Sequence, residues 1–339
     1  MRFREGDYLE TTEGLFFHVK GVFHPSDRII AFLRYVPDDR GNREKDGDTY
    51  RKIYPLKERF DYLEDKYPEY VFHSDKLGKK MQGVPLKNIE RVFRPEEKFR
   101  ELREQSKMDP TERQALELTE KIAKKSFINR KKIGITGSVL IGLHKKGSDI
   151  DLISYGEKEG RKVYKALKEL KKHSREVSSY KGKSATQIAE FRWGKTGQSI
   201  EKTAKIESRK VLHGLFKDKD FFMRLVKDKE DFEGCYENRN VTPLERAKVK
   251  GIILDDSDSI YTPNEYILQE SKFANDRPFR IEKIKSFRGR FAEQAKEGDR
   301  IEAVGTIEKV IEKEKESHRL LLGQTRDYMI PERTPTSSH

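Results

Sequence analysis

In a chain of 339 residues, charged side chains (39%) outnumber apolar ones (34%), yet clear apolar segments remain, so it reads as a folded protein of two or three domains and not as a disordered one. Its 72 Lys and Arg against 59 Asp and Glu leave a net charge of +13, which favours a polyanionic partner, while the abundance of both signs also fits a thermophile surface laced with ion pairs. The single cysteine, Cys235, excludes an internal disulfide framework and a multi-cysteine zinc site; with no apolar leader in MRFREGDYLE and no run near ~18 apolar residues, a cytoplasmic location is expected.

Taken in chain order, residues 15–23 and 29–36 predict strands on either side of the turn-forming His24-Pro25-Ser26-Asp27. Residues 37–48 read as a hairpin loop, 50–54 as a further strand and 57–65 as a short helix stopped near Pro68. Pro95 opens a helical segment with Phe99 and Leu102 on one face. Asp109-Pro110-Thr111-Glu112 then puts an N-cap, a first-turn proline and a capping-box glutamate in order ahead of a stripe of Ala115, Leu118 and Ile122. Residues 132–156 predict a β-turn-β unit, 157–173 a helix burying Val163, Leu167 and Leu170, 180–218 mostly helix, and 221–226 a short strand. Beyond 241 strands return at 251–254, 260–268, 300–310 and 319–322, the make-up of a small barrel or sandwich, and PERTPTSSH reads as a loose tail. The expected architecture is α+β: a β-rich module at 1–97, a central domain at 98–238 with a mixed sheet flanked by helices, a β-barrel-like module at 239–330 and a flexible tail at 331–339.

Chemistry concentrates in the central β-turn-β unit. Side chains alternate along a strand, so Asp149 and Asp151 project from one side while Ile150 and Leu152 enter the core. Two carboxylates side by side repel each other unless a cation neutralises them, and a hard divalent ion, Mg²⁺ or Mn²⁺, accepts such oxygen-only ligands. Upstream, Gly137 lets the chain turn tightly and Ser138 adds a hydroxyl to the exposed N–H groups of a short helix, a cradle suited to the terminal phosphates of a nucleoside triphosphate. Phosphoryl transfer needs positioning and charge neutralisation above all, and this pairing supplies both.

Gly137-Ser138, an interval of eleven positions, and Ser148-Asp149-Ile150-Asp151 with apolar neighbours resemble the polymerase β-like nucleotidyltransferase superfamily. Gly142 falls where small members have Arg-Gly, but Ile141 replaces the arginine. The outer segments Val19-Lys20-Gly21, His24-Pro25, Leu33-Arg34-Tyr35 and 305–310 resemble archaeal predicted nucleotidyltransferases, which implies β-rich modules on both sides of a catalytic one. The resemblance implies metal-dependent transfer of a nucleoside monophosphate from NTP to an acceptor hydroxyl, with Asp149 and Asp151 as metal ligands and catalytic acids. It also implies a third carboxylate on a neighbouring strand. The strand at 221–226 holds Arg224 but no acid, and Asp220, Asp228 and Glu190 stay open as candidates.

Nucleotide contact is further expected from Ser148, Lys145 and Arg224; Arg224, a cation within an apolar strand, requires a partner such as Asp149, Asp151 or phosphate, unless it points to solvent from an edge strand. The basic stretch from Arg277 to Arg290, interleaved with Phe279 and Phe287, either contacts nucleic acid or is a core strand with a solvated face. RNA, possibly tRNA, is the expected acceptor. The alternatives are nucleotidylation of a protein or small molecule, an antitoxin-like interaction protein, and a non-catalytic RNA-binding protein; oligomeric state stays open.

Overall fold

A bulge sets the geometry of the N-terminal sheet. Strands Phe16–Val19 and Arg28–Pro37 pair antiparallel with Phe16 opposite Tyr35 but Phe17 opposite Leu33, so Arg34 is the extra residue and the face pattern inverts across it. Leu9, Phe17, Leu33 and Val36 pack on one side with Leu63 of helix Leu56–Lys66, Tyr70 and Val84. Tyr8, Phe16, Tyr35 and Tyr50 gather in a second cluster with Phe93, Leu140, Ile141 and Leu143. The second cluster therefore ties the sheet to the turn that follows Gly137-Ser138.

The computed structural model describes residues 3–231, 236, 239–273 and 278–332. It divides the chain into two compact units, Met1–Val163 with Phe221–Glu237 and Tyr164–Asp220 with Asn238–His339. In the first, the N-terminal strands run in the order Arg43–Lys45, Asp48–Lys52, Arg28–Pro37, Phe16–Val19, Tyr8–Thr11, Ile89–Phe93. Lys79–Pro85 also pairs with Arg28–Pro37 and carries Val71–Ser74 on its other side. The three strands between 71 and 93 carry no strand prediction.

The sheet that bears the acids is built on Ile150–Tyr155. This strand pairs antiparallel with Ile133–Ile135 and parallel with Lys219–Val226, in a register that sets Asp151 against Phe222 and Ile153 against Arg224. Helix Pro110–Ser126 starts as expected: the Asp109 side chain accepts the Thr111 and Glu112 N–H groups, Glu112 reaches back to the Asp109 N–H, and Ala115, Leu118 and Ile122 are fully buried.

The second unit holds helices Lys183–Trp193 and Ile200–Arg209, the pair Val177–Ser178 and His213–Phe216, and a C-terminal sheet. His213–Phe216 is a strand where helix is expected. Arg239–Asp255 pairs with both Asn264–Phe273 and Arg300–Glu312, and the path through Lys283–Ser286 and Lys315–Leu322 returns to Arg300–Glu312, so five strands close on themselves. Period-two burial accompanies this closure: Ile301, Ala303 and Ile307 face a core shared with Tyr266, Ile284, Leu320 and Trp193. Of the tail, residues 333–339 lie outside the described residues. No helix among the described residues is long and apolar enough to cross a membrane.

Candidate active site

Strand Ile133–Ile135 ends at Thr136, and Gly137 turns the chain at φ +68°, a left-handed value that suits glycine, into the one-turn helix Gly137–Leu140. A side chain at this position would collide with Asp151. A Cβ built on Gly137 would stand 2.8 Å from the Asp151 Cβ and nearer still to its carboxylate. The Thr136 N–H donates to the Asp151 carbonyl at 2.9 Å and the Leu143 N–H to the Ser138 carbonyl at 2.9 Å, which closes the bend. Ser138 is buried, and its hydroxyl has no hydrogen-bond partner among the described residues.

Asp149 and Asp151 flank the buried Ile150 and so share a side of the chain, Asp149 exposed and Asp151 half-buried. Among the described residues no donor lies within hydrogen-bond distance of either carboxylate. Burial pushes the Asp151 carboxyl up and the charge of Asp149 pushes it further, while Arg224, Lys52 and Arg34 oppose this only in part, so it titrates at about 6. This is the signature of an acid pair short of positive charge, and it suits a divalent cation.

The N-terminal module surrounds the pair with groups that sequence reasoning missed. Arg34, aimed by the bulge, donates to the Tyr8 hydroxyl, and both act electrostatically on each other and on Asp151. Arg224 donates from Nη1 to Glu5 Oε1 at 2.8 Å, and Glu5 also accepts Lys20 Nζ at 2.8 Å and the Gly21 N–H at 2.8 Å. Burial pushes the Glu5 carboxyl up, but Lys20 and Arg224 outweigh it and hold the group below its ordinary value. The Thr136 hydroxyl donates to the Gly6 carbonyl at 2.7 Å and the Tyr155 hydroxyl to the Glu5 carbonyl at 3.1 Å, so the first residues are strapped to the acid-bearing sheet.

The predicted residues part ways. Gly137, Ser138 and Asp151 come together, with Asp149 at the mouth. Ser148 is buried and holds its own loop: its hydroxyl accepts the Lys145 N–H at 2.9 Å and Arg43 Nη1 at 3.3 Å. Lys145 is exposed on the wall of an open cleft of 410 Å³ lined also by Arg40, Asn42, Arg43, Arg51, Lys52, Tyr54, Gly147, Ser148 and Asp149. The Arg224 hydrogen bond goes to Glu5 and to neither aspartate, and the side chain is mostly buried, not pointed to solvent.

Of the third-acid candidates, Asp228 is buried and accepts from Lys132, while Asp220 accepts the Tyr180 hydroxyl at 2.7 Å. Glu190 lies on helix Lys183–Trp193. Strand alternation puts Asp220, Phe222 and Arg224 on one face of Lys219–Val226. Asp109, Glu112 and His144 also bring ligand atoms within 4.8 Å of one another, but both carboxylates there serve the capping box.

In the basic stretch Arg277 lies outside the described residues. Ile281 is core and Phe279 stacks on His318. Lys283 and Lys285 pair with Glu265 at 2.5 and 2.6 Å, and Arg290 donates to the carbonyls of Arg192, Gln324 and Asp327. Lys283, Lys285 and Arg290 are thus used within the fold.

Residues 116–211 match the family model of the nucleotidyltransferase domain. The chain carries a nucleotidyltransferase domain of the polymerase β-like superfamily. It is accordingly an enzyme of the nucleotidyl-transferring class. The chain is 29% identical to an uncharacterized protein, MJ1086, of the archaeon Methanocaldococcus jannaschii over 96% of this chain and 97% of that one. No solved structure matches it.

Proposed function

We propose that this protein moves a nucleoside monophosphate from NTP to an acceptor hydroxyl and releases pyrophosphate, with residues 98–238 as its catalytic module. Asp149 and Asp151 hold Mg²⁺ or Mn²⁺, which when bound neutralises the polyphosphate and the charge that develops on it. Gly137 leaves room for Asp151 beside the bend, and the Ser138 hydroxyl with the adjoining N–H groups receives phosphate oxygens. RNA is the favoured acceptor on the strength of the net charge of +13.

One observation carries this reading: the Asp151 carboxylate lies directly against the Gly137 bend, beside a second acid and with no donor to satisfy it. Incubating the protein with Mg²⁺, labelled NTPs and either total RNA or cell protein tests it. Label in RNA with pyrophosphate release supports the proposal, and label found only in protein removes the RNA acceptor. A second reading, nucleotide binding without transfer, draws on Phe222 and Arg224 standing in register with Asp151 and Ile153 in place of an acid. NTP binding with no pyrophosphate from any acceptor would select it.

A further inference from the structure

The bend lacks a cation of its own, because Ile141 stands where an arginine would grip phosphate. It is fully buried with Leu140 and Leu143 against Tyr8, Phe16 and Tyr35, so this position anchors the N-terminal sheet and a charge could not be kept there without a partner. Cations gather instead on the other side of the same loop. The hairpin Arg43–Lys45 and Asp48–Lys52 is locked to it by Arg43, whose Nη1 donates to the Leu143 carbonyl at 2.6 Å. Between hairpin and loop lies the 410 Å³ cleft.

Its cations are not equivalent. Arg51 is neutralised by Asp38 and Glu58, each at 2.7 Å, and Arg43 serves as a structural donor. Arg40, Lys52 and Lys145 have no carboxylate within ion-pair distance among the described residues, and the one acid on the cleft wall is Asp149. Lys52 Nζ stands 4.5 Å from the ring centre of the exposed Tyr54, and its charge is felt at Asp151. Arg40 and Lys52 from the hairpin side and Lys145 from the loop side thus line the cleft that also bears Asp149, none of them in an ion pair among the described residues.

We propose that this cleft is a polyphosphate subsite, in which Arg40, Lys52 and Lys145 hold the terminal phosphates of the nucleoside triphosphate. The inference rests on the nucleotidyl-transfer reading and extends it: part of the nucleotide site lies at 40–54, outside the matched residues 116–211. The phosphates of a nucleic-acid acceptor offer the same chemistry, so the test separates the two sources.

The full-length protein is titrated with inorganic tripolyphosphate and Mg²⁺, and separately with a single-stranded RNA oligonucleotide. Charge-assisted contacts of this kind are worth roughly tenfold each, so the double variant Arg40→Ala with Lys52→Ala should bind tripolyphosphate about a hundredfold more weakly. RNA affinity should stay unchanged, the KM for NTP should rise more than kcat falls, and Lys52→Arg should keep most of the binding. Weakened RNA binding with intact tripolyphosphate binding overturns the proposal in favour of an acceptor track, and no change in either overturns it in favour of a solvated surface. Should the double variant melt early, Lys145→Gln on the exposed loop is read in the same titrations. A wild type that binds tripolyphosphate through these residues but releases no pyrophosphate sinks the transfer reading and leaves the subsite. A wild type that turns over while the double variant binds undiminished sinks the subsite alone.

Discussion

Two acids, the buried Glu207 in one unit and the half-buried Asp151 in the other, show how the same side-chain chemistry is put to opposite uses. Glu207 in the second unit accepts Arg192 Nη1 at 2.5 Å, Trp193 Nε1 at 2.9 Å and Lys210 Nζ at 2.9 Å. Burial pushes its carboxyl up, but Lys210, Arg192 and these hydrogen bonds hold it below the ordinary value. Asp151 has cations nearby but no donor in contact, a second carboxylate beside it, and a carboxyl pushed up to about 6. A fully paired acid is part of the framework; an acid left short of partners at a bend is set to receive one.

The comparison can be broken first at Glu207. Glu207→Gln leaves Lys210 and Arg192 buried against a neutral group, and the loss should be about 3–5 kcal/mol of stability, read as a lowered denaturation midpoint. If Glu207 belonged to the reaction instead, activity per folded molecule would fall with little change in stability.

Gly137→Ala is expected to act on turnover. A Cβ there displaces the Asp151 carboxylate and strains a left-handed residue, and a misplaced acid should cost roughly a hundredfold in kcat. Steady-state pyrophosphate release measures it, and unchanged kcat would show that the close approach has no role.

The smallest effect sharpens the contrast through pH. Because the folded protein holds the Asp151 carboxyl at about 6, above its ordinary 3.8, ionisation costs stability as pH rises from about 4 through about 6. Acidification through that window should stabilise the wild type, and Asp151→Asn should be more stable than wild type at pH 7.5 by about 1–3 kcal/mol, a gain that shrinks toward pH 4. Glu207 has the opposite sign: its lowered carboxyl contributes stability above the ordinary value that is lost on acidification. Denaturant titrations at several pH values check both slopes.

What the sequence disclosed was local. The capping box at Asp109–Glu112, the Gly137-Ser138 turn and the alternation around Asp149 and Asp151 each depend on residues a few positions apart, and each is found in the fold. Lys79–Pro85 escaped because Gly83 and Pro85 interrupt it and its burial does not alternate. The partners of Asp151 escaped for another reason. Glu5, Arg34 and Lys52 reach the site only through tertiary packing, and Arg34 does so through a bulge that no spacing rule reveals. The basic stretch near 283 offered cations but hid Glu265, which pairs with two of them across a strand.

The most direct measurement is pyrophosphate release with all four NTPs, Mg²⁺ and total RNA, comparing wild type with Asp149→Ala and Asp151→Ala. The account predicts release by the wild type and a loss of roughly a thousandfold, about 4 kcal/mol of transition-state stabilisation, in each variant whose folding is intact. Equal release from all three proteins would contradict it.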